Sequence, residues 1–314
     1  AQTTGTVAMV ADAREDRLAL VSKNYPTIQT TQNADDILTS PSIDAVVVAT
    51  PVFTHYALAK KALENGKHVL IEKPMTSTGD EARELIALAD SKGLTLMVDH
   101  TFLYTGAVQK LKELISGGSI GQIKYFDSTR INLGLFQPDI NVLWDLAPHD
   151  ISILNYLIDE VPYSINATGV SHTNNGIENI AYLTVNYNSG FIAHFNCSWS
   201  SPVKIRTVLV GGDEKMLVYN DLEPTEKIRV YDTQYKHKTD EEKRRILVEY
   251  RAGDVFIPMI NSKEALSGMA SDFLNSIINK TTPLSSFQSG LDVIKILEAS
   301  QLSIKQHGKE ILIK

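Results

Sequence analysis

Apolar and polar residues alternate along the first hundred positions in blocks that change period. Residues 7–12 (Val-Ala-Met-Val-Ala-Asp) are a short apolar run ending in an acid, and a helical stretch over 14–23 follows. Residues 27–31 predict a short strand, and 34–38 a short helix before Pro41. Residues 45–49 (Ala-Val-Val-Val-Ala) predict a strand buried on both faces, stopped by Thr50-Pro51. Leu58, Ala59, Ala62 and Leu63 give 56–65 the spacing of a helix, which Gly66 closes. Residues 68–71 predict the next buried strand, 80–92 the next helix before Gly93, and 94–98 the next strand. Continuous apolar strands separated by helices of roughly 10–15 residues predict parallel βαβ units and a right-handed, doubly wound sheet.

The texture changes after Phe102. Residues 106–116 predict an amphipathic helix, 123–131 a strand and 145–158 a helix. From 164 to about 251 the chain is mostly strands: 170–173, 181–187, 191–198, 204–210, 215–219 and 227–231, rich in β-branched and aromatic residues. Asn188-Ser-Gly190, Gly211-Gly-Asp213 and Asn220-Asp221 are turn-forming joints between them. The mixed charges of 236–245 predict a solvated loop. Helices over 262–279 and 289–306 and a last strand at 311–313 close the chain. The fold class is therefore α/β: a Rossmann-type parallel sheet over residues 1–101, followed by an α+β domain with a mostly antiparallel open sheet over 102–314.

Length and composition fit that division, since 314 residues suit two domains and 43% hydrophobic content supplies two cores. Asp and Glu number 37 against 30 Lys and Arg, a net charge of −7, which argues against a nucleic-acid or anionic-membrane surface. The apolar strings are strand-sized, too short to span a bilayer, and no charged-then-apolar leader opens the chain, so the expected location is cytoplasmic. Cys197 is the only cysteine, which excludes an intramolecular disulfide and a cysteine-based metal cluster. The eight histidines show no ligand spacing, so no metal is expected.

Open α/β sheets bind ligands at the carboxyl ends of their strands. Asp12 ends the first strand, where an acid accepts hydrogen bonds from the adenosine ribose hydroxyls and repels a 2′-phosphate. Its alternative role is capping the helix after it. Thr50 and Pro51 end the next buried strand, with His55 just inside a helix start that presents free N–H groups. Glu72-Lys73-Pro74 puts a carboxylate, an ammonium and a rigid bend at the end of the following strand. Pro74 holds Lys73 extended, and a lysine so held can stabilise an oxyanion as a carbonyl forms. An ordinary Glu–Lys surface pair is the competing explanation. Trp144-Asp-Leu-Ala-Pro-His149-Asp150 opens a helix in which Pro148 belongs to the first turn, so that helix should begin near Asp145 or Leu146. Asp145 and His149, four apart, share a face, and the positive helix end keeps His149 neutral and able to accept a proton. Asp145 would orient it or bind a substrate hydroxyl, or else serve as a plain cap.

Ala49-Thr-Pro51 with His55, Gly66-Lys-His-Val69, Glu72-Lys-Pro74 and Asp145…His149, taken in order, resemble the Gfo/Idh/MocA oxidoreductases. The resemblance extends through Ser198-Trp-Ser-Ser-Pro202 to the two closing helices. It implies an NAD(P)-dependent dehydrogenase of sugars, inositols or nucleotide sugars. It implies Lys73 and His149 as the catalytic pair, with Asp145 positioning the substrate. Thr50, Pro51, His55, Glu72 and Lys73 would line the nicotinamide half of the cofactor, and Asp12 would hold the adenosine ribose. It further implies a cis Lys73–Pro74 bond. Which of Lys73 and His149 is the base stays open. Asp12 favours NAD over NADP. The stretches around 132–144 and 198–202 look most like members acting on UDP-N-acetylhexosamines, with Tyr104, Asn132 and Trp144 as pocket residues. An inositol or free-sugar dehydrogenase is the alternative within the family. A non-catalytic sugar or nucleotide sensor on the same fold is the alternative outside enzymes, and intact Lys73, Asp145 and His149 argue against it.

One departure stands out. The G-x-G-x-x-G loop belongs about 20 residues before the ribose acid, and Gly5 is the only glycine in the first 50 residues. The first strand, its glycine loop and most of the first helix are thus expected to lie outside this chain, with residues 1–5 the tail of that helix. The flanking strands should then show unpaired edges, and the chain alone should bind NAD weakly. Tyr, Phe and Trp on the outer face of the second sheet predict a homodimer or homotetramer through that face.

Overall fold

The computed structural model describes residues 6–134, 136–173, 175–232, 234–236, 249–251 and 253–313. Two compact units divide the chain: Ala1–Tyr104 with Glu264–Ile294, and Thr105–Lys263 with Lys295–Lys314. Residues 1–5 and most of the charged run at 236–245 lie outside the described residues.

In the first unit β1 (Met9–Ala11), α1 (Glu15–Asn24), β2 (Gln29–Thr31), α2 (Asp35–Leu38), β3 (Ala45–Val48), α3 (Val52–Glu64), β4 (His68–Ile71), α4 (Gly79–Lys92) and β5 (Leu96–Val98) alternate. All their strand pairs are parallel, β1 with β2 in one sheet and β3-β4-β5 in another. Among the described residues β1 and β3 are each hydrogen-bonded to one strand only. The second unit begins with α5 (Gly106–Ser116), β6 (Ile123–Leu133), α6 (Val142–Leu157), β7 (Ser164–Val170), β8 (Ile180–Asn186), β9 (Ile192–Ser198) and β10 (Ser200–Gly212). It continues through β11 (Met216–Asn220), β12 (Ile228–Tyr231), β13 (Gln234–Lys236), β14 (Glu249–Arg251) and β15 (Val255–Phe256). In chain order α7 (Ala265–Asn279) then returns to the first unit, and α8 (Phe287–Lys305) and β16 (Ile311–Leu312) follow it. The large sheet runs β15-β12-β11-β10-β6-β9-β8-β7-β16, antiparallel except where β6 lies parallel to β9. This is a Rossmann-like parallel sheet joined to a mostly antiparallel one.

Local chemistry explains the boundaries. Thr78 and Glu81 form a reciprocal capping box at the start of α4, and Gly93 ends that helix at φ 64. Val46, Val48, Val69, Ile71, Leu96 and Val98 pack against Ala59, Ala62 and Leu63 of α3 and Ala82, Leu85 and Ala89 of α4. The opposite face of β4 and β5 offers Leu70 and Met97, which α7 covers with Met269 and Phe273. That cover is why residues 264–294 belong with the first unit, a return that a boundary at residue 101 does not contain. It also corrects the expectation that β3 is buried on both faces: α3 and α4 pack on its Val46–Val48 side, while Val47 is 62% exposed.

Along the middle of β6, β8 and β9 burial alternates, with Phe126, Ser128, Arg130, Ala181, Leu183, Val185, Ala193, Phe195 and Cys197 inside. The strand expected at 170–173 is instead β7, ending where Val170 pairs with Ile180. Beyond it the Ser171 hydroxyl donates to the Thr173 carbonyl at 2.9 Å, turning the chain out of the ladder.

Candidate active site

The carboxyl ends of β3, β4 and β5 gather the polar residues of the first unit. Thr50 and Pro51 follow β3, and Pro51 caps α3, so His55 sits in that helix's first turns. His55 is buried, and its Nδ1 and Nε2 face the Pro74 and Thr50 carbonyl oxygens at 3.0 and 2.7 Å. The ring thus ties the end of β3 to the residue after Lys73. The Lys73–Pro74 bond is cis. Glu72 donates its backbone N–H to the Val48 carbonyl at 2.9 Å, and the Lys73 N–H donates to Glu72 Oε2 at 3.0 Å. Burial foremost, then the charge of Asp99, pushes the Glu72 carboxyl up to about 6. Next along β5, Asp99 accepts from Thr101, and His100 is fully enclosed. Among the described residues neither His100 ring nitrogen has a hydrogen-bond partner, and burial, then the Lys73 charge, push the imidazole down to about 4. Thr50, Pro51, His55, Glu72 and Lys73 therefore form one connected cluster, to which the structure adds Asp99 and His100. Sequence reasoning passed over those two, although a polar pair directly after the buried run 96–98 repeats the signal of Glu72-Lys73 after 68–71.

Asp12 stands just beyond β1, apart from that cluster in sequence and sheet. Its Oδ1 accepts the Arg14 N–H at 2.9 Å and its Oδ2 accepts from Arg17 at 3.3 Å, and the Arg14 N–H chiefly holds the carboxyl below its ordinary range. Tyr104 is committed within the first unit: its hydroxyl donates to Asp272 at 2.6 Å and accepts the Ser285 N–H at 3.2 Å.

In the second unit α6 begins earlier than Pro148 suggests. Asn141 is its N-cap and accepts from the N–H groups of Leu143 and Trp144, both at 3.1 Å. Pro148 lies inside the helix and His149 beyond its first turn, so the positive helix end, which acts over one turn, is too far away to set the imidazole's charge. Trp144, Asp145 and His149 are half-buried while Leu146, Ala147 and Pro148 are sealed. Asp145 Oδ2 accepts the Trp199 indole N–H at 2.9 Å. Gly134 lies so close to that indole that an added Cβ would stand 2.6 Å from its ring, so only glycine fits. Asp150, buried beside His149, takes a two-pronged contact from Arg130 at 2.9 and 2.6 Å and the Ser128 hydroxyl at 2.7 Å. Asn132 follows Ser128 and Arg130 on the same face of β6, half-buried at the irregularity opposite β10.

The donor set of the first unit fits the two ends of a dinucleotide. A carboxylate at the end of β1 suits a ribose diol, and Glu72, Lys73 and the unpartnered His100 nitrogens offer polar groups at the ends of β4 and β5. Comparison with known proteins agrees. Residues 1–100 match the oxidoreductase family with an NAD-binding Rossmann fold, and residues 108–218 match the GFO/IDH/MocA C-terminal domain. The chain belongs to the Gfo/Idh/MocA oxidoreductase family. Among curated members, the uncharacterized oxidoreductase YdgJ of Escherichia coli (strain K12) is 36% identical over 155 residues, 46% of this chain and 43% of that protein. The UDP-N-acetylglucosamine 3-dehydrogenase of Acidithiobacillus ferrooxidans is 33% identical over 159 residues, 50% of this chain and 49% of that one. The chain thus matches less than half the length of these Gfo/Idh/MocA relatives. Levoglucosan dehydrogenase in complex with NADH and levoglucosan shares the fold, with a TM-score of 0.82 at 20% identity over 98% of this chain and 90% of that one.

Proposed function

We propose that this Gfo/Idh/MocA member oxidises a secondary hydroxyl of a UDP-N-acetylhexosamine, with NAD as cofactor, in the cytoplasm. The observation that carries the reading is the cluster at the ends of β3 and β4, where His55 ties Thr50 at the end of β3 to Pro74, directly after Glu72-Lys73. When bound, NAD supplies the hydride acceptor. Lys73 stabilises the substrate oxygen, His149 takes the hydroxyl proton, and Asp145, fixed by Trp199, orients the substrate. Thr50, Pro51, His55 and Glu72 form the wall at the nicotinamide end. Asp12 selects NAD, its carboxylate repelling a 2′-phosphate. Tyr104, Asn132 and Trp144 are the substrate residues of this reading. Two or four copies associate through the outer face of the large sheet, where Tyr182 and Ile192 are 47% and 44% exposed.

An NADH-forming assay across UDP-sugars and free polyols tests the reading. We expect turnover of UDP-N-acetylglucosamine or a close relative, and a loss of about 100-fold or more in kcat for Lys73→Ala and for His149→Ala. Near-wild-type turnover in either variant removes that residue from the mechanism. Equal kcat/KM with NAD and NADP overturns the role of Asp12.

A further inference from the structure

We propose that Arg206 holds the diphosphate of a nucleotide-sugar substrate, on the inner face of the large sheet beside α6. This deepens the reading of a UDP-sugar as the substrate and rests on it.

Arg206 of β10 is the register partner of Arg130 on β6. Partners across an antiparallel pair share a face, and Arg130, 3% exposed, marks that face as the inner one. The Asp221 N–H donates to the Arg206 carbonyl at 2.9 Å, and the Tyr219 hydroxyl donates to Asp221 Oδ1 at 3.0 Å. Like charges directly opposite each other repel, so each arginine needs an anion of its own. Arg130 has one, since Asp150 accepts from its Nε and Nη2 at 2.9 and 2.6 Å and both side chains are sealed. Arg206 is poorly matched. Its Nε is buried without a partner among the described residues. Its one side-chain hydrogen bond there runs from Nη1 to Asp221 Oδ2 at 3.4 Å, long for a charged pair. The Lys227 ammonium adds to the imbalance by donating to the Asp221 carbonyl at 2.6 Å. Arg130, Arg206 and Lys227 are thus joined with Asp150 and Asp221, three cations against two carboxylates in a chain of net charge −7.

The group that completes this cluster is an anion. A guanidinium is a planar fork that matches two oxygens of a phosphate, and 31% of the Arg206 side chain stays open to one. The position selects the kind of anion. Asp150 directly follows His149 in α6, so its contact with Arg130 sets that helix against the strand beside Arg206. A pyranose lying against Asp145 and His149 carries its diphosphate on the anomeric carbon, and Arg206 offers that group a partner within the same unit. A free sugar or an inositol would leave the fork unused.

Calorimetric titration of the full chain with UDP and with uridine, which differ only in the diphosphate, tests the site. We expect the wild type to bind UDP more tightly than uridine. Arg206→Met should weaken UDP by about 10–100-fold, the worth of a hydrogen bond to a charged group, and leave uridine unchanged. Arg206→Lys, which keeps the charge and loses the fork, should fall between the two. Asp221→Asn, which removes the competing carboxylate, should tighten UDP and not uridine, a gain that misfolding does not imitate. A wild type that binds no UDP, or binds UDP and uridine equally, overturns the proposal. So does a folded Arg206→Met that keeps the wild-type preference, or one that weakens both ligands alike, as a merely structural Arg206 would. If Arg206→Met fails to fold, Asp221→Asn decides, and unchanged UDP affinity there overturns the proposal. NAD-linked turnover separates the site from the reaction it is built on. Turnover of UDP-N-acetylglucosamine with an unaltered KM in Arg206→Met would keep the reaction and remove the diphosphate site. A chain that oxidises no sugar, yet prefers UDP through Arg206, would remove the reaction and keep the site.

Discussion

A histidine sealed beside a lysine ammonium has a strong preference for one charge state. His100 is such a residue, with its imidazole pushed down to about 4 from an ordinary value of 6.5. Because its folded value lies below its unfolded one, the stability it reports is fully present above pH 6.5 and is lost as pH falls toward 4. The difference of the two values corresponds to roughly 3 kcal/mol. Urea unfolding at pH 7 and pH 4 should therefore give a change in stability that is less favourable on acidification in the wild type than in His100→Phe, the difference between the two being about that size. Glu72 acts with the opposite sign. Its folded value is raised, so the folded state binds the proton more tightly, and stability falls as pH rises from 4.5 to about 6. Glu72→Gln should flatten that second slope, and equal slopes in wild type and variant would show that Glu72 is solvated like an ordinary carboxyl.

At the scale of one element, the start of α6 sets where Trp144, Asp145 and His149 stand. Proline inside a helix costs about 3 kcal/mol or more, which is why the sequence pointed to a start near residue 145. The helix begins at Val142 because Val142 and Leu143 become fully buried, each contributing about 1.5–3 kcal/mol, while Asn141 satisfies two N–H groups. Local rules lost here to tertiary burial, whereas at α4 the Thr78–Glu81 box and Gly93 were local signals that tertiary packing did not oppose. The cluster at 50–55 and 72–74 was legible because strand ends in a parallel sheet are marked by abrupt polarity. Trp199 and Arg130 were not, since each reaches a residue of α6, 54 and 20 positions away in sequence. Removing one partner of a buried ion pair leaves a bare charge, so Arg130→Met should cost about 3–5 kcal/mol by chemical denaturation. Trp199→Phe removes only the indole N–H from Asp145. It should lower kcat for the sugar while the fold, followed by circular dichroism, stays intact.

On the scale of the whole molecule, the large sheet has one apolar face turned inward and one that carries Tyr125, Tyr182, Ile192 and the His194–Asp127 pair at 3.1 Å. If copies associate through that outer face, Tyr182→Asp combined with Ile192→Asp should give monomers by light scattering while the wild type gives dimers or tetramers. The first unit has a different peculiarity, for its strands are written at the beginning of the chain and part of its cover near the end. Tyr104 and Asp272, which share a hydrogen bond, are 168 positions apart. At a synthesis rate of about 5–20 residues per second, the ribosome needs roughly ten to thirty seconds to travel between them. Through that interval Leu70 and Met97 are made but uncovered, and the nascent parallel sheet must wait, exposed to chaperones and to its own kind, for a helix that has not yet been translated.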